Sequence, residues 1–528
     1  MGGAAKGGAG RPLVAAADVA ALPVRNIWLT VFGIMTASLL QILDSTIANV
    51  AIPHMQAALG ATPDEVSWVL TSYIVATAVA IPATGWISDR VGSRRLFILS
   101  TFGFVLSSML CGMAQNITQM VLFRCLQGIT GAFIQPLSQA AMLDINPPSR
   151  QAQMMSIWGM GLMIGPILGP ILGGWLTENL NWRWVFYVNV PLGVVALAIL
   201  AAQLPSRPIQ RRRFDLFGFG VIAVGITALQ LLLDRGNHVD WYQSIEIWIY
   251  SLTILCTLWI GGVHFLTGKS QKLFHGSLFA NRSFVAAFFF MAVIGMVMFA
   301  SMALMPAMLQ RLFGYSVMAT GWAMMPRGVG TLISMYLAGQ SMRRGYDPRL
   351  VVMTGFLLVG VSFWEMSAWS LAVDQPRVIV SGLVQGLGLG LLFMPLNNSA
   401  FATLMPSLRT EGSSLLNLSR SMGASVGIAI TTGLLGRNWQ ASHADIGSHV
   451  TASMTSVMDF STLDRFQQLG TAAMSFVDVQ VNRQAAMIAY IDNYYLMMWL
   501  SLIAAPMVVA MRKPSANRLP PPPAEPPH

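Results

Sequence analysis

The sequence predicts an all-α integral membrane protein of fourteen spanning helices: two six-helix halves with two inserted helices between them. Three observations predict it. Apolar residues fill 55% of the 528 positions and charged residues only 10%, with a mean hydropathy of +0.60. A soluble domain carries about a quarter charged residues, so this chain cannot cover a water-facing surface. Fourteen apolar runs reach the roughly 20 residues that a helix needs to cross a bilayer. Finally, segments of the first half recur at matching places in the second.

The runs are 27–52, 66–88, 96–114, 118–142, 153–176, 184–204, 215–234, 245–267, 283–309, 317–341, 350–371, 377–404, 412–435 and 486–510. In lipid a single segment satisfies its backbone groups only as a helix. With the N-terminus cytoplasmic, 21 of the 31 Lys and Arg fall in cytoplasmic segments, seven in outer segments and three within spans. That bias is the one expected of a multi-pass protein with an even span count and both termini inside. The run after Asn26 is too long for the core of a signal peptide and reads as an uncleaved first span. Basic residues lie in short loops rather than on one face, so the net charge of +10 reports topology and not a nucleic-acid partner. Cys111, Cys125 and Cys256 all lie in apolar runs, which argues against a disulfide framework. The 48 Gly suit close helix packing, and the 35 Met suit either an adaptable lining or generic lipid-facing surface.

The repeat is clearest where spans 2 and 10 leave the membrane. Gly85-Trp-Ile-Ser-Asp89-Arg90-Val-Gly92-Ser-Arg94-Arg95-Leu96 aligns without gaps on Gly339-Gln-Ser-Met-Arg343-Arg344-Gly345-Tyr-Asp347-Pro-Arg349-Leu350. Gln127-Gly128 with Pro136-Leu137 in span 4 answers to Gln385-Gly386 with Pro395-Leu396 in span 12, one residue longer. Both pairings divide the chain in one way: a tail 1–26, a six-helix half 27–204, an insertion 205–282, a second half 283–511 with an outer loop 436–485, and a Pro-rich tail 512–528. Duplicated halves with a site between them are a secondary-transporter design.

Ionisable residues inside spans are costly and usually functional. Asp44 lies nine residues before Pro53, about 14 Å below the outer end of span 1, and Arg124 lies about 10 Å into span 4. An ion pair is therefore available at one level. Its arginine favours a charged carboxylate and its burial a neutral one, so a cavity that wets and dries it could load and release a proton. The alternative is a static pair joining spans 1 and 4. Arg327 and Arg420 are further intramembrane cations, with Glu365 and Asp492 as candidate partners. Asp89 with Arg94 and Arg95 suggests a cytoplasmic latch or simple topology anchoring. In span 5, Gly165, Gly169 and Gly173 recur every fourth residue beside Pro166 and Pro170, giving a flat face for close packing. Gly262 to Gly268-Lys269-Ser270 mimics a phosphate loop but has five residues between its glycines where that loop needs four, so ATP hydrolysis is not expected. Neither a metal-ligand cluster nor a nucleophilic constellation is visible, and the chain does not read as an enzyme. The outer stretch 436–485 is the one outer segment long enough to leave the headgroup layer. Its mixed pattern at Val457–Phe460 and Phe476–Val479 suggests short amphipathic helices able to dock a partner.

These residues resemble the major facilitator superfamily, and within it the fourteen-span drug:proton antiporters of the EmrB/QacA type. Gly85, Asp89, Arg90, Gly92, Arg94 and Arg95 match the superfamily's loop signature after span 2. Arg124, Gln127, Gly128 and Gly131 match the span 4 signature assigned to proton coupling. Gly165, Gly169, Pro170, Gly173 and Gly174 match the span 5 antiporter signature. Leu43 to Ala51, around Asp44, matches the span 1 motif of the branch, and Asn181–Pro191 and Leu233–Gly236 look most like its EmrB members. Glu365 matches none of these motifs. The resemblance, over roughly residues 27 to 511, implies export of hydrophobic compounds in exchange for protons by alternating access, driven by the proton gradient without ATP or another cofactor. It implies the bacterial inner membrane, and a tripartite pump with a periplasmic adaptor (EmrA-like) and an outer-membrane channel (TolC-like). Export of one natural metabolite, such as a siderophore, fatty acid or antibiotic, is the alternative use of the same machinery; the span 5 pattern argues against uptake symport.

Overall fold

The computed structural model describes residues 20–207, 209, 213–237, 239–267, 273–402, 404–449 and 471–510. The terminal tails, Arg211, Arg212, Gly268–Ser270 and the centre of the outer stretch with Val457–Phe460 lie outside the described residues. Every regular element among the described residues is helical. The long helices run α1 Ile27–Leu59, α2 Glu65–Val91, α3 Ser93–Met113, α4 Ile117–Asp144, α5 Pro148–Asn179, α6 Trp184–Gln203, α7 Leu216–Arg235, α8 Ile245–Thr267, α9 Arg282–Arg311, α10 Val317–Arg343, α11 Pro348–Ser367, α12 Gln375–Phe401, α13 Arg409–His449 and α14 Thr471–Met507.

Twelve of them are long and apolar enough to cross a membrane; α10 and α13 have the length but are more polar. Both bury much of their polar surface against other helices rather than lipid. Thr320, Arg327, Thr331 and Ser334 are buried on α10, and Ser413, Ser414, Asn417 and Ser419 on α13. Polar residues cap several starts where the chain enters the apolar layer. The side chains of Asn26, Asn116, Asn281, Ser316 and Asp347 each accept an N–H of the helix that follows, which satisfies donors left orphaned by the first turn. Pro53, where the first span was expected to end, is instead inside α1, which continues to Leu59 and a left-handed Gly60.

The outer stretch is the clearest departure. Where described, 436–485 is built not of separate short helices but of the extended ends of α13 and α14. Trp439 Nε1 donates to Asn482 Oδ1 at 2.6 Å, and His443 meets Asp478 at 3.1 Å, so the two ends pair side by side as a hairpin.

Helices α1–α6 and α9–α14 form two bundles. The halves adjoin along α5 and α10, which pack antiparallel: Gly174 faces Val317 near one end and Gly339 faces Ser156 near the other. Hydrogen bonds joining the halves cluster at the end that carries Arg90, Arg94, Arg95 and Arg409, called here the basic end. Outside the bundles, α7 packs on both α2 and α13 and carries α8, which buries Ile247 but leaves most of its apolar surface open to the surroundings.

Candidate functional site

Asp44 is fully buried at the middle of α1 and accepts three hydrogen bonds. Arg124 Nη1 donates to Oδ2 at 2.7 Å; Gln127 Nε2 and Asn189 Nδ2 donate to Oδ1 at 2.9 and 2.7 Å. The same Arg124 Nη1 donates to Gln127 Oε1 at 2.7 Å, and Arg124 Nε donates to the Val69 carbonyl at 3.1 Å. Its guanidinium carbon lies 4.3 Å from the Tyr73 ring centre and 5.7 Å from that of Phe186. Asn189 is held in turn by Ser108 Oγ at 2.9 Å. Five helices, α1 to α4 and α6, thus converge on one carboxylate. A buried charge is tolerated when it is paired and hydrogen-bonded, and removing one partner leaves the other uncompensated. Arg124 Nη2, the Tyr73 hydroxyl and Asn189 Oδ1 nevertheless have no hydrogen-bond partner among the described residues, so the cluster is not fully satisfied.

Asp44, Arg124 and Gln127 therefore come together as the sequence suggests. Asn189 and Tyr73 were missed, because a neutral polar residue in an apolar run carries no contrast in charge.

The span 5 signature supports this site from behind. Gly165, Gly169 and Gly173 face residues 42–47 of α1, the turn that carries Asp44. A Cβ at Gly165 would lie 2.6 Å from Ile42 Cγ2, one at Gly173 3.3 Å from the Ile47 carbonyl, and one at Gly169 would collide with Thr46 Oγ1. Pro170 lies inside α5 without ending it, and Gly174 turns to the other half.

At the basic end, Gly92 takes φ 95°, a conformation that favours glycine, and so turns α2 into α3. Gly85 lets α2 abut α13, since a Cβ there would lie 3.1 Å from Glu411 Cβ. Arg94 Nη2 donates to the Ala201 carbonyl at 2.5 Å, while Arg90 lies over Trp86 and Arg95 is exposed. Asp89 is half-buried. The ion pairs that bridge the halves come from residues the sequence did not single out. Asp144 on α4 takes Arg409 on α13 at 3.1 Å and Arg207, which also reaches Thr410 Oγ1 at 2.9 Å. One turn deeper, Gln139 bonds Asn397, Ser413 and Asn417.

The expected acidic partners of Arg327 and Arg420 are not there. Arg327 donates to Ser301 Oγ at 3.1 Å and to the Met298 carbonyl at 3.2 Å; Ser301 donates on to Gln385 Oε1. Arg420 donates to Asn417 Oδ1 at 3.0 Å and lies 5.9 Å from the Phe393 ring. Asp492 accepts instead from Asn438 at 3.0 Å, and Glu365 is half-exposed near the end of α11. Hydroxyl, amide and carbonyl oxygens satisfy a guanidinium at mid-membrane without importing a second charge. Among the described residues no group of His, Cys, Asp and Glu could hold a metal ion.

Comparison with known proteins agrees with this architecture. The model of the Major Facilitator Superfamily matches residues 34–428. The multidrug export protein EmrB of Escherichia coli K12 is 31% identical over 482 residues, which cover 90% of this chain and 94% of that protein. The fatty acid resistance protein FarB of Neisseria gonorrhoeae is 33% identical over 426 residues, 80% of this chain and 83% of that one. The solved structure of the proton:xylose symporter XylE shares the fold with a TM-score of 0.57 at 12% identity, over 92% of this chain and 96% of that one. With a family match over most of its length and the two bundles in place, the chain belongs to the Major Facilitator Superfamily and is similar throughout to its EmrB multidrug exporters.

Proposed function

We propose that this transporter is a proton-coupled multidrug efflux antiporter that exports hydrophobic and amphipathic compounds by alternating access. The observation that carries the reading is Asp44, a fully buried carboxylate held by Arg124, Gln127 and Asn189. A carboxylate in such a place can cycle a proton only if the bundle opens around it, and α5 meets the turn that carries it through the glycines Gly165, Gly169 and Gly173. Kinship to EmrB supports drugs as cargo, and likeness to the span 5 antiporter signature supports export rather than uptake. The chain's own groups supply the coupling, with no ATP and no cofactor in the scheme.

In this reading α10 and α13 also cross the bilayer, giving fourteen spans. The halves are 27–204 and 283–511, and 205–282 is an insertion carrying α7 and α8. The basic end and both termini are cytoplasmic, the membrane is the bacterial inner membrane, and the Gly85–Arg95 loop is part of the cytoplasmic gate. The α13/α14 hairpin then stands on the outer side, where it docks a periplasmic adaptor that leads to an outer-membrane channel. Export of a natural acid such as a fatty acid is the second reading. It is favoured by the FarB relative and by Arg327 and Arg420, neither of which has a carboxylate in reach among the described residues.

Reconstituted vesicles test the main reading. With an imposed pH gradient, protein-dependent movement of a fluorescent drug should occur, and drug added without a gradient should drive protons the other way. Drug movement that persists after the gradient is collapsed, with no proton counterflow, rejects antiport.

A further inference from the structure

Gln139 spans the seam between the halves with both ends of its amide. Its Nε2 donates to Asn397 Oδ1 on α12 at 2.5 Å, and its Oε1 accepts from Ser413 Oγ and, at 3.1 Å, from Asn417 Nδ2 on α13. It is 2% exposed, so parting the halves here unpairs buried amides unless water enters. Five residues on, Asp144 with Arg409 and Arg207 forms a second, ionic layer nearer the surface. The closed basic end therefore has a neutral inner bolt and a charged outer one.

From the inner bolt a further bond runs toward mid-membrane. Asn417 Oδ1 accepts from Arg420 Nη2 at 3.0 Å, while its Nδ2 donates both to Gln139 Oε1 at 3.1 Å and to the Ser413 carbonyl of its own helix at 2.9 Å, so the amide is engaged at one end by a guanidinium and at the other by Gln139 and Ser413. Chains of this kind polarise and strengthen one another. Arg420 lies over Phe393, whose ring stacks on that of Trp158 from α5 at 6.4 Å. Cation and paired rings, drawn from both halves, suit an amphipathic acid: the rings cover an apolar body and the guanidinium takes the acid group.

We propose that Gln139 couples this substrate position to the cytoplasmic gate. Docked, it fixes Asn417, and Asn417 holds Arg420 away from substrate. Withdrawn, it leaves the Asn417 amide held only by Ser413 of its own helix, which loosens its hold on Arg420 and favours binding of an acidic amphiphile. The inference rests on the exporter reading, and it supplies what an exporter needs. Cargo must bind well when the cytoplasmic gate is open and poorly when it is shut. A contact that exists only in the shut state, and that cargo must displace, lowers affinity in that state. By linkage, the same cargo favours the open gate.

The test uses the full chain in nanodiscs, with the exposed Cys256 replaced by Ser and spin labels on Arg150→Cys and Ser407→Cys, both exposed at the cytoplasmic end. The binding probes are cis-parinaric acid and its neutral methyl ester. Gln139→Ala should move label distances toward longer values and tighten the acid about three- to tenfold, with the ester within about twofold, as expected for one net hydrogen bond. Gln139→Asn, which keeps the amide but falls one methylene short, should do the same. In an Arg420→Gln background the gain should vanish. Three outcomes overturn the coupling: unchanged distances, longer distances with unchanged acid affinity, or equal tightening of acid and ester. Vesicle export of N-phenyl-1-naphthylamine by the unaltered chain is measured beside it; its absence, with the acid-selective shift intact, would count against the exporter reading and not against the coupling.

Discussion

Asp44 shows how far one residue can be read from sequence and where that reading stops. A carboxylate in the apolar run 27–52 stands out because the bilayer penalises it, and Arg124 stands out for the same reason. Their meeting at 2.7 Å, with Gln127 beside them, was legible. Asn189 was not: it donates to the same carboxylate from α6, yet an Asn in an apolar run looks like any interfacial polar residue. The pairing expected for Arg327 and Arg420 failed because charge was matched with charge, whereas folded helices offer carbonyls and hydroxyls that no sequence pattern advertises. If Asp44 carries the proton, Asp44→Asn keeps the shape of the cluster but cannot cycle one. Export against a gradient should fall to background while the protein still reaches the membrane in normal amount; retained uphill export would make Asp44 structural. Arg124→Lys is a subtler probe. One ammonium cannot bond Asp44, Gln127 and the Val69 carbonyl in the fork that the guanidinium provides. Coupled export should drop at least about tenfold, the loss expected when one charge-assisted bond worth about 1.5–3 kcal/mol goes, with thermal stability in detergent lowered as well.

Elements were legible in proportion to how much lipid they touch. The peripheral α8 is apolar all round and unmistakable, while α10 and α13 bury rows of Ser, Thr and Asn inside the bundle and so fall short of a simple apolar criterion. The glycine row of α5 could be read as a packing face, but that its partner is the Asp44 turn could not, because spacing shows a face and not what it faces. Gly169→Val should therefore act through α1. Its added methyls meet Thr46, overpacking of this kind costs about 1–3 kcal/mol, and both melting temperature and export should fall. Gly220, whose Cβ position meets nothing within 4 Å, is the matched control and should tolerate Ala. The start of α7 offers a pH test. Asp215 caps it, accepting from the Gly218 N–H at 2.8 Å and meeting His264 at 2.9 Å. Burial raises the carboxyl's pKa, but these partners outweigh it and hold it below the usual range. A depressed folded value means that the stabilisation is present above the unfolded pKa and lost as pH falls through the folded one. Proteolysis of the α7–α8 hairpin should accordingly rise in acid below about pH 4 in the unaltered chain, and Asp215→Ala should flatten that acid dependence while raising cleavage at neutral pH.

At the scale of the whole molecule, the two bundles follow from the repeat, but the hairpin of α13 and α14 does not. A mixed polar and apolar pattern between two spans reads as short helices because nothing in it says that the flanking spans continue. In the fold they do: α13 runs 14 residues past position 435, about 21 Å at helical rise, and α14 returns alongside it. Trp439 with Asn482 and His443 with Asp478 fix their register on the way. A connection between neighbouring helices needs only a few residues, so two rods of this length are excess to linking α13 with α14. Nor do they touch the Asp44 cluster, since Asp44 and its partners lie in the other half. The role left to a paired stalk is to present a surface, and under the exporter reading, which puts it on the outer side, the adaptor is the partner proposed for it. Replacing residues 445–475 with a Gly/Ser linker separates the two functions. Drug-driven proton movement in vesicles should persist within about twofold, because both bundles are intact; resistance in cells should be lost, and the adaptor should no longer co-purify. If it co-purifies undiminished, it docks elsewhere. If vesicle transport collapses instead, the stalk is part of the moving bundle, holding α13 against α14 as the halves rock.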